Sequence, residues 1–264
     1  MTETYTLNTE NYTFEPFKDN GFSGRILLAT PKSADFPKLL IKSDNPCSAC
    51  NEFMYSRLAG LLRIFVPKVY IMDVAKKDRK RFGSPFVVGI EYFEGIRSFA
   101  HDEMRSSPAL MKEYAEQYAL AAMFAQDDLV QMAMTADGHI TGIDFTETFW
   151  FNELSADILN GSENILIILA KNRLSAFQNR GLSYLSAGAS VVKEAFGLPD
   201  DTAVPDEYLN PMRALYALTE DEITPLLDTL DEVYQVAVSV YFEEYIALLK
   251  KKIAAYFKSI GEKL

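Results

Sequence analysis

Asp144 ends a predicted β-hairpin and carries a carboxylate that can do metal chemistry. Asp137 and Gly138 predict a two-residue type I′ turn, because both residue types tolerate the positive φ that this turn requires. The flanking strands are predicted at residues 131–136 and 139–145, so Asp144 lies where the second strand runs out. Mg²⁺ is bound by hard oxygen ligands, and one or two carboxylates together with phosphate oxygens are enough. We therefore predict that Asp144 binds magnesium; the alternative is that it only caps the following turn.

A lysine and a glutamate earlier in the chain form a candidate ion pair. Lys42 ends the apolar run at residues 39–41, a pattern typical of a buried strand that presents an ammonium group to a nucleotide phosphate. Glu52 stands at the start of a predicted helix with apolar residues at helical spacing, and its charge can pair with Lys42. Most lysines and glutamates are solvated surface residues, so the prediction rests on the order of these segments along the chain.

Two further segments are candidates for contact through backbone groups. A glycine-bearing turn lies between residues 14–17 and a strand predicted at 25–29, and the N–H groups of such a turn can cover phosphates. Its candidate residues are Gly21, Ser23 and Gly24. A strand predicted at 86–92 leads to Glu91 and Phe93, whose backbone groups are candidates for contact with an adenine ring. An ordinary turn and an ordinary buried strand are the alternatives.

The order of these elements resembles the protein-kinase-like superfamily. After a helix predicted at 108–126 come the acidic residues Asp127 and Asp128 and then the hairpin. This hairpin is similar to the one that ends in Ile-Asp-Phe-Gly in the phosphatidylinositol-kinase-like branch and in the HipA-like serine/threonine kinases. The segment Val66-Pro67-Lys68-Val69 also resembles the HipA-like group, and the likeness covers most of residues 14–150.

This resemblance implies a fold and an activity. The fold is α+β and bilobal, with a small β-rich N-lobe at residues 10–95 and a larger helical C-lobe at residues 96–264. The activity is phosphoryl transfer to a Ser or Thr hydroxyl of a protein, with ATP and Mg²⁺ as cofactors. Carried over by residue, Lys42 contacts ATP phosphates, Glu52 positions Lys42, and Asp144 binds the metal.

The catalytic loop departs from the family pattern. Asp127 or Asp128 takes the place of the catalytic aspartate, with Asp127 preferred because Gln131 follows four residues later. Gln131 stands where the family has an Asn that binds a second magnesium, and octahedral magnesium has strict geometry. Thr146 replaces the glycine of the family motif. A nucleotide-binding pseudokinase without turnover is therefore an alternative.

A small-molecule phosphotransferase is a further alternative. Enzymes like the aminoglycoside and choline kinases also have a proline before the strand that follows the helix, as at Pro67. Asp128-Leu129 resembles the Asp-Leu step of their catalytic loop. The phosphate acceptor would then be a small hydroxyl compound rather than a protein.

The composition is that of a globular protein and argues against two kinds of partner. The chain has 264 residues, of which 48% are hydrophobic and 24% charged. A net charge of −11 argues against a nucleic-acid-binding body, because phosphate contacts need a basic surface. The basic run at 76–81 is interpreted as a solvated tip between two strands. No run of ~18 apolar residues and no signal peptide is present, so we predict no membrane span and a cytoplasmic location.

Cys47 and Cys50 have the spacing of a redox or zinc pair. Tetrahedral zinc needs about four ligands, and His101 and His139 lie far away in sequence. We interpret the two cysteines as structural or incidental thiols that precede the helix, with an oxidation-sensitive pair near the nucleotide as the alternative.

The C-terminal third is predicted to be helical. Helices are expected at residues 157–176, 182–196 and 220–257, because apolar residues recur there at helical spacing. Pro199, Pro205 and Pro211 predict a loop between the second and third helices, and Pro225 is expected in the first turn of the third. The third helix carries an aromatic and aliphatic stripe that we interpret as core, with contact to a partner helix as the alternative. Its residues are Tyr241, Phe242, Tyr245, Leu248, Leu249, Ile253 and Tyr256.

Overall fold

The computed structural model describes residues 6–17, 26–42, 46–126, 130–146, 148–149, 151, 163–234 and 238–264. The strands are β1 (Thr6–Asn8), β2 (Tyr12–Pro16), β3 (Leu27–Pro31), β4 (Leu39–Lys42), β5 (Val69–Asp73), β6 (Phe86–Glu91), β7 (Arg97–Ser98), β8 (Gln131–Met134) and β9 (Ile140–Ile143). The helices are α1 (Pro46–Leu61), α2 (Arg79–Phe82), α3 (His101–Met104), α4 (Pro108–Met123), α5 (Glu163–Phe196), α6 (Asp206–Ala217), α7 (Glu220–Tyr234) and α8 (Ser239–Ile260).

The N-terminal strands form one sheet in the order β1-β5-β6-β4-β3-β2. β1 runs parallel to β5, and the other neighbours are antiparallel. The strand predicted at 39–42 is confirmed, and those predicted at 25–29 and 86–92 are confirmed with shifted bounds. β1 was not predicted from the sequence, because its short polar segment lacks an apolar pattern and is held by pairing with Ile71 and its neighbours.

Side chains alternate across this sheet and build a core on each face. Val69, Ile71 and Val88 join the large core that contains α1, whereas Met72 and Val87 join a second cluster on the other face. The basic run predicted as a tip between strands lies between β5 and β6, where α2 adds one helical turn. Its lysines and arginines are exposed, as predicted.

α1 begins earlier than the sequence suggests. It starts at Pro46, in a first helical position where the missing N–H of proline costs no helical hydrogen bond. Cys50 therefore lies inside the helix rather than before it, with its thiol buried, and Glu52 lies in the second turn. The side chain of Cys47 lies outside the described part of the structure, so the interpretation of the two thiols stays a prediction.

The predicted hairpin is present, but its turn differs. β8 and β9 pair from Gln131 opposite Ile143 to Met134 opposite Ile140, and β7 completes a sheet in the order β7-β8-β9. Positive φ within the turn is confined to Gly138, and Thr135 donates its N–H to the carbonyl of His139. The turn is thus a three-residue loop with glycine in the left-handed position, and the type I′ prediction is wrong.

The helices that follow the hairpin were only partly anticipated. The two helices predicted at 157–176 and 182–196 form the single helix α5 across residues 163–196, while 157–162 lie outside the described residues. Gly181 lies inside α5, where it faces α8. A Cβ at this position would lie 3.2 Å from Cγ of Lys252 in α8, so the glycine allows the two helices to approach.

The predicted proline-rich loop is interrupted by α6, which contains Pro211. Burial of Tyr208, Leu209, Met212 and Leu215 outweighs the backbone hydrogen bond that proline removes.

The region predicted at 220–257 is two helices, α7 and α8, with residues 235–237 outside the described chain. Pro225 is the sixth residue of α7 rather than part of its first turn, so that prediction is wrong. The aromatic stripe of α8 does pack in the core, with Leu248 only partly buried. Among the described residues, no helix has both the length and the apolar content to cross a membrane.

Candidate active site

Lys42, Glu52 and Asp144 meet at one point between the two sheets. The ammonium Nζ of Lys42 lies 2.7 Å from Oε1 of Glu52 and 2.9 Å from Oδ1 of Asp144. Only 11% of the Lys42 side chain, 1% of Glu52 and 33% of Asp144 is exposed. Lys42 lies in β4, Glu52 in α1 and Asp144 in the segment after β9. The Lys42 ammonium therefore bridges carboxylates from two other elements of the fold.

The backbone of Asp144, whose carboxylate contacts Lys42, has a strained conformation. Asp144 has a φ of +63°, in the left-handed region that costs a residue other than glycine about 1–2 kcal/mol. Asp is among the side chains that tolerate it, because its short polar group bonds locally. Strained backbone of this kind is concentrated at functional sites, where the surrounding structure holds it.

The three charges support one another. Burial acts against the charge on Lys42, but Glu52 and Asp144 outweigh it and hold the pKa of Lys42 above its ordinary value. Burial also raises the pKa of Glu52, with Lys42 opposing. For Asp144 the attraction of Lys42 and a hydrogen bond from Thr146 exceed the effect of burial, so its pKa lies below the ordinary value. Asp144 is therefore ionised and able to bind a cation.

α1 holds the end of the hairpin through three side chains on one face. Glu52 reaches it through Lys42, Asn51 donates from Nδ2 to the carbonyl of Thr146 at 2.8 Å, and the ring of Tyr55 stacks on Phe145 at 3.8 Å. Thr146 in turn donates from Oγ1 to Oδ1 of Asp144 at 3.0 Å. No sequence pattern indicates the contact of Tyr55, and in the sequence Thr146 stands out only as a departure from the family motif.

A crevice opens beside this cluster. It is lined by Lys42, Glu52 and Asp144 and by apolar side chains that include Leu40, Ile90 and Ile143, and measures ≈740 Å³ with its solvent-open mouth. Its enclosed cavity volume is ≈100 Å³, which is below the ~300–1,000 Å³ of typical ligand pockets. In this conformation the crevice is therefore smaller than a typical ligand pocket.

Glu91 and Phe93, predicted at the adenine side, do line the crevice. The N–H of Glu91 donates to the carbonyl of Lys68, and the N–H of Tyr92 donates to the carbonyl of Lys38. These two N–H groups are therefore already engaged by neighbouring strands. Only other backbone groups of this segment are left as candidates for contact with a base.

Of the remaining predicted site residues, only Gln131 lies within the described part of the chain. Gln131 lies opposite Ile143, one position from Asp144, with an exposed side chain. Gly21, Ser23, Gly24, Asp127 and Asp128 lie outside the described residues. Within the described chain, no three His, Cys, Asp or Glu side chains are grouped as metal ligands. The oxygen donors that fit magnesium are thus the Asp144 carboxylate and, at the same end of the hairpin, the Gln131 amide.

A solved kinase structure has the same architecture. The chain is similar to a structure described as a proinflammatory kinase of Helicobacter pylori, CtkA, with a TM-score of 0.50 over 95% of this chain and 98% of that chain. The chain has a kinase-like bilobal fold. Sequence identity is 8%, so the similarity establishes the fold class predicted above and neither the activity nor the HipA-like branch. A scan against family models and a search of curated proteins found no match.

Proposed function

We propose that the protein is an ATP- and Mg²⁺-dependent phosphotransferase of the HipA-like serine/threonine kinase type. The observation that carries the proposal is the contact of Lys42 with both Glu52 and Asp144 at the mouth of the crevice. Phosphoryl transfer depends mainly on positioning and on neutralising charge, and this cluster provides a buried cation beside an ionised carboxylate.

Each residue then has a distinct part in binding. Lys42 leaves Asp144 to contact phosphate oxygens, while Glu52 keeps the ammonium oriented. Asp144 holds Mg²⁺, with Gln131 as a second oxygen donor, and the bound metal supplies charge neutralisation at the phosphates. The Glu91 carbonyl and the Phe93 N–H are assigned to the base. From the resemblance to kinases, Asp127 or Asp128 is assigned to the acceptor hydroxyl, and the segment with Gly21, Ser23 and Gly24 is assigned to the phosphates.

Nucleotide binding without turnover is a second candidate, favoured by one observation. Gln131 replaces the expected Asn and has an exposed side chain at the start of β8. The longer amide has more rotamers to order before it can bind a metal with strict octahedral geometry. In that case the crevice binds Mg²⁺ and ATP and transfers nothing.

The first test is a thermal-shift and calorimetric titration with ATP, with and without Mg²⁺. We expect ATP to raise Tm more with Mg²⁺ than without it, because a ligand that binds only the folded state stabilises it. Asp144→Asn should remove the Mg²⁺-dependent part, and Lys42→Met should weaken ATP binding with or without the metal. The matched controls are Asp102→Asn and Lys32→Met, which change exposed residues away from the crevice.

The second test separates the candidates. Incubation with γ-labelled ATP should label the protein itself or a Ser/Thr peptide, and Asp127→Ala or Asp128→Ala should abolish the label. Labelling of small hydroxyl compounds instead would indicate the small-molecule class. Mg²⁺-dependent binding with no transfer would support the pseudokinase, and the absence of any nucleotide binding would refute the proposal altogether.

A further inference from the structure

Two side chains of α4 complete the outer edge of β9. β9 pairs with β8 on one side only, so the N–H groups on its other edge need partners from elsewhere. Glu113 accepts the N–H of Ile140 on Oε2 at 2.8 Å, and Gln117 accepts the N–H of Gly142 on Oε1 at 3.0 Å. These are the backbone groups four and two residues before Asp144.

The spacing of the two contacts follows from helix and strand geometry. Residues four apart on a helix rise about 6.0 Å along its axis, and residues two apart on a strand rise about 6.8 Å. Glu113 and Gln117 on α4 therefore match Ile140 and Gly142 on β9 one to one. A slip of β9 along α4 would break both contacts, so the pair fixes the axial position of the strand.

Gln117 also ties β9 to the N-terminal part of the chain. Its Nε2 donates to the carbonyl of Phe65 at 2.9 Å, in the loop that joins α1 to β5, and its side chain is 1% exposed. The Phe65 ring lies 5.5 Å from the ring of His139 in the hairpin turn and 5.5 Å from the ring of Phe93. One buried amide thus links the hairpin, α4 and the loop beside the crevice.

Gly142 allows this close contact. A Cβ at this position would lie 2.8 Å from Oε1 of Gln117 and 3.0 Å from the ring of Phe145. The absence of a side chain lets α4 approach the edge of β9 within hydrogen-bond distance. The same absence leaves room for Phe145, which stacks on Tyr55 of α1.

We propose that Gln117 and Glu113 are positioning residues that set the register of β9 and so hold Asp144 at its fixed place opposite Lys42. The functional part of this inference, the delivery of Asp144 to a metal–nucleotide complex, rests on the proposed function. The register itself does not, and it is tested in the free protein.

The first experiment measures amide hydrogen exchange by NMR in Gln117→Met, Glu113→Met and Glu113→Gln. Loss of one hydrogen bond of ~1 kcal/mol should speed exchange at Gly142 about fivefold in Gln117→Met. Ile140 should respond likewise in Glu113→Met, and Glu113→Gln should restore it because the amide oxygen still accepts. Amides of β4 and β6 report global stability, and Gln178→Met, at an exposed position of α5, is the matched control.

The second experiment tests the effect on Asp144 in a double-mutant cycle without nucleotide. Asp144→Asn should lower the folding equilibrium constant in both backgrounds. The fold-change should be at least about twofold smaller in Gln117→Met than in the wild type, because the displaced Asp144 carboxylate already makes a weaker contact with Lys42. Unchanged exchange at Gly142, or no coupling between the two substitutions, would overturn the inference whether or not the protein binds ATP.

A third measurement adds the metal. In a wild type that binds ATP with Mg²⁺, Gln117→Met should reduce the Mg²⁺-dependent gain in ATP affinity about tenfold, as is typical for residues that orient a metal ligand. Metal-free ATP affinity should not fall, because Lys42 and Glu52 are unchanged in the variant. An unchanged Mg²⁺ dependence would refute the positioning role. A wild type that binds no ATP would refute the proposed function, and the double-mutant cycle would then test the register of β9 by itself.

Discussion

Replacing Lys42 by Met should destabilise the protein chiefly through Glu52. The substitution leaves the Glu52 carboxylate, 1% exposed, without the cation that lies 2.7 Å away. Removing one partner of a buried ion pair costs about 3–5 kcal/mol. With an unfolding entropy of ~2.1 cal/mol/K per residue over 264 residues, this corresponds to a fall in Tm of roughly 5–9 °C.

The loss of stability in Lys42→Met should depend on pH, and the protonation of Glu52 sets the direction of that dependence. Burial already raises the pKa of Glu52, and removal of Lys42 raises it further. A carboxyl whose pKa is higher in the folded state than in the unfolded state favours folding at low pH and opposes it at high pH. The deficit of Lys42→Met relative to wild type should therefore shrink as the pH falls from 8 to 5.

Urea unfolding at several pH values measures this effect, with two further variants. Glu52→Gln combined with Lys42→Met removes the unpaired charge, so the double variant should be more stable than Lys42→Met alone at pH 8. Lys38→Met is the matched control, because Lys38 contacts Glu94 at 3.0 Å in an exposed pair that is worth at most ~1 kcal/mol. A double variant no more stable than the single one, or a deficit that is constant with pH, would refute the reasoning.

Three further predictions concern other parts of the fold. The hydrogen bond to Glu113 raises the pKa of His139, so His139→Gln should remove a small stabilisation, below ~1 kcal/mol because the ring is half exposed. This stabilisation is present below the unfolded pKa of ~6.5 and is lost as the pH rises through the pKa of the folded state. Parallel Tm–pH curves for variant and wild type would contradict this. Gly188→Ala should cost about 1–3 kcal/mol in urea unfolding, since its Cβ would overlap the hydroxyl of Tyr208, and an unchanged midpoint would show that the helices give way. Asp144→Ala should be about 1 kcal/mol less stable than Asp144→Asn, because Asn tolerates the positive φ better, and equal unfolding midpoints would argue against backbone strain at this position.

Local patterns in the sequence were enough for the elements that carry the cluster. The apolar run before Lys42, the helical spacing after Glu52 and the turn residues before Asp144 each predicted an element that the structure contains. The predicted element boundaries and turn type were wrong where the same residues fit more than one local geometry. Asp137 and Gly138 fit two kinds of hairpin turn, and Pro46 fits both a loop and a first helical position.

Errors in the C-terminal part have a common cause. Pro211 and Gly181 are helix-breaking by propensity, yet both lie inside helices because burial and close helix packing outweigh the local cost. The roles of Tyr55 and Gln117 had no signature either, since one is an apolar position on a helix and the other a polar residue in an apolar stripe. Only their neighbours in space show what they contact.

The sequence by itself determined which residue types stand at the ends of which strands and helices, because backbone periodicity and turn chemistry are local properties of the chain. The tertiary structure decided that Lys42, Glu52 and Asp144 share one contact, that Asp144 adopts a strained φ, and that α4 completes the edge of β9. Those outcomes depend on packing between segments up to about a hundred residues apart, as in the Lys42–Asp144 pair, and no local pattern specifies such a distance.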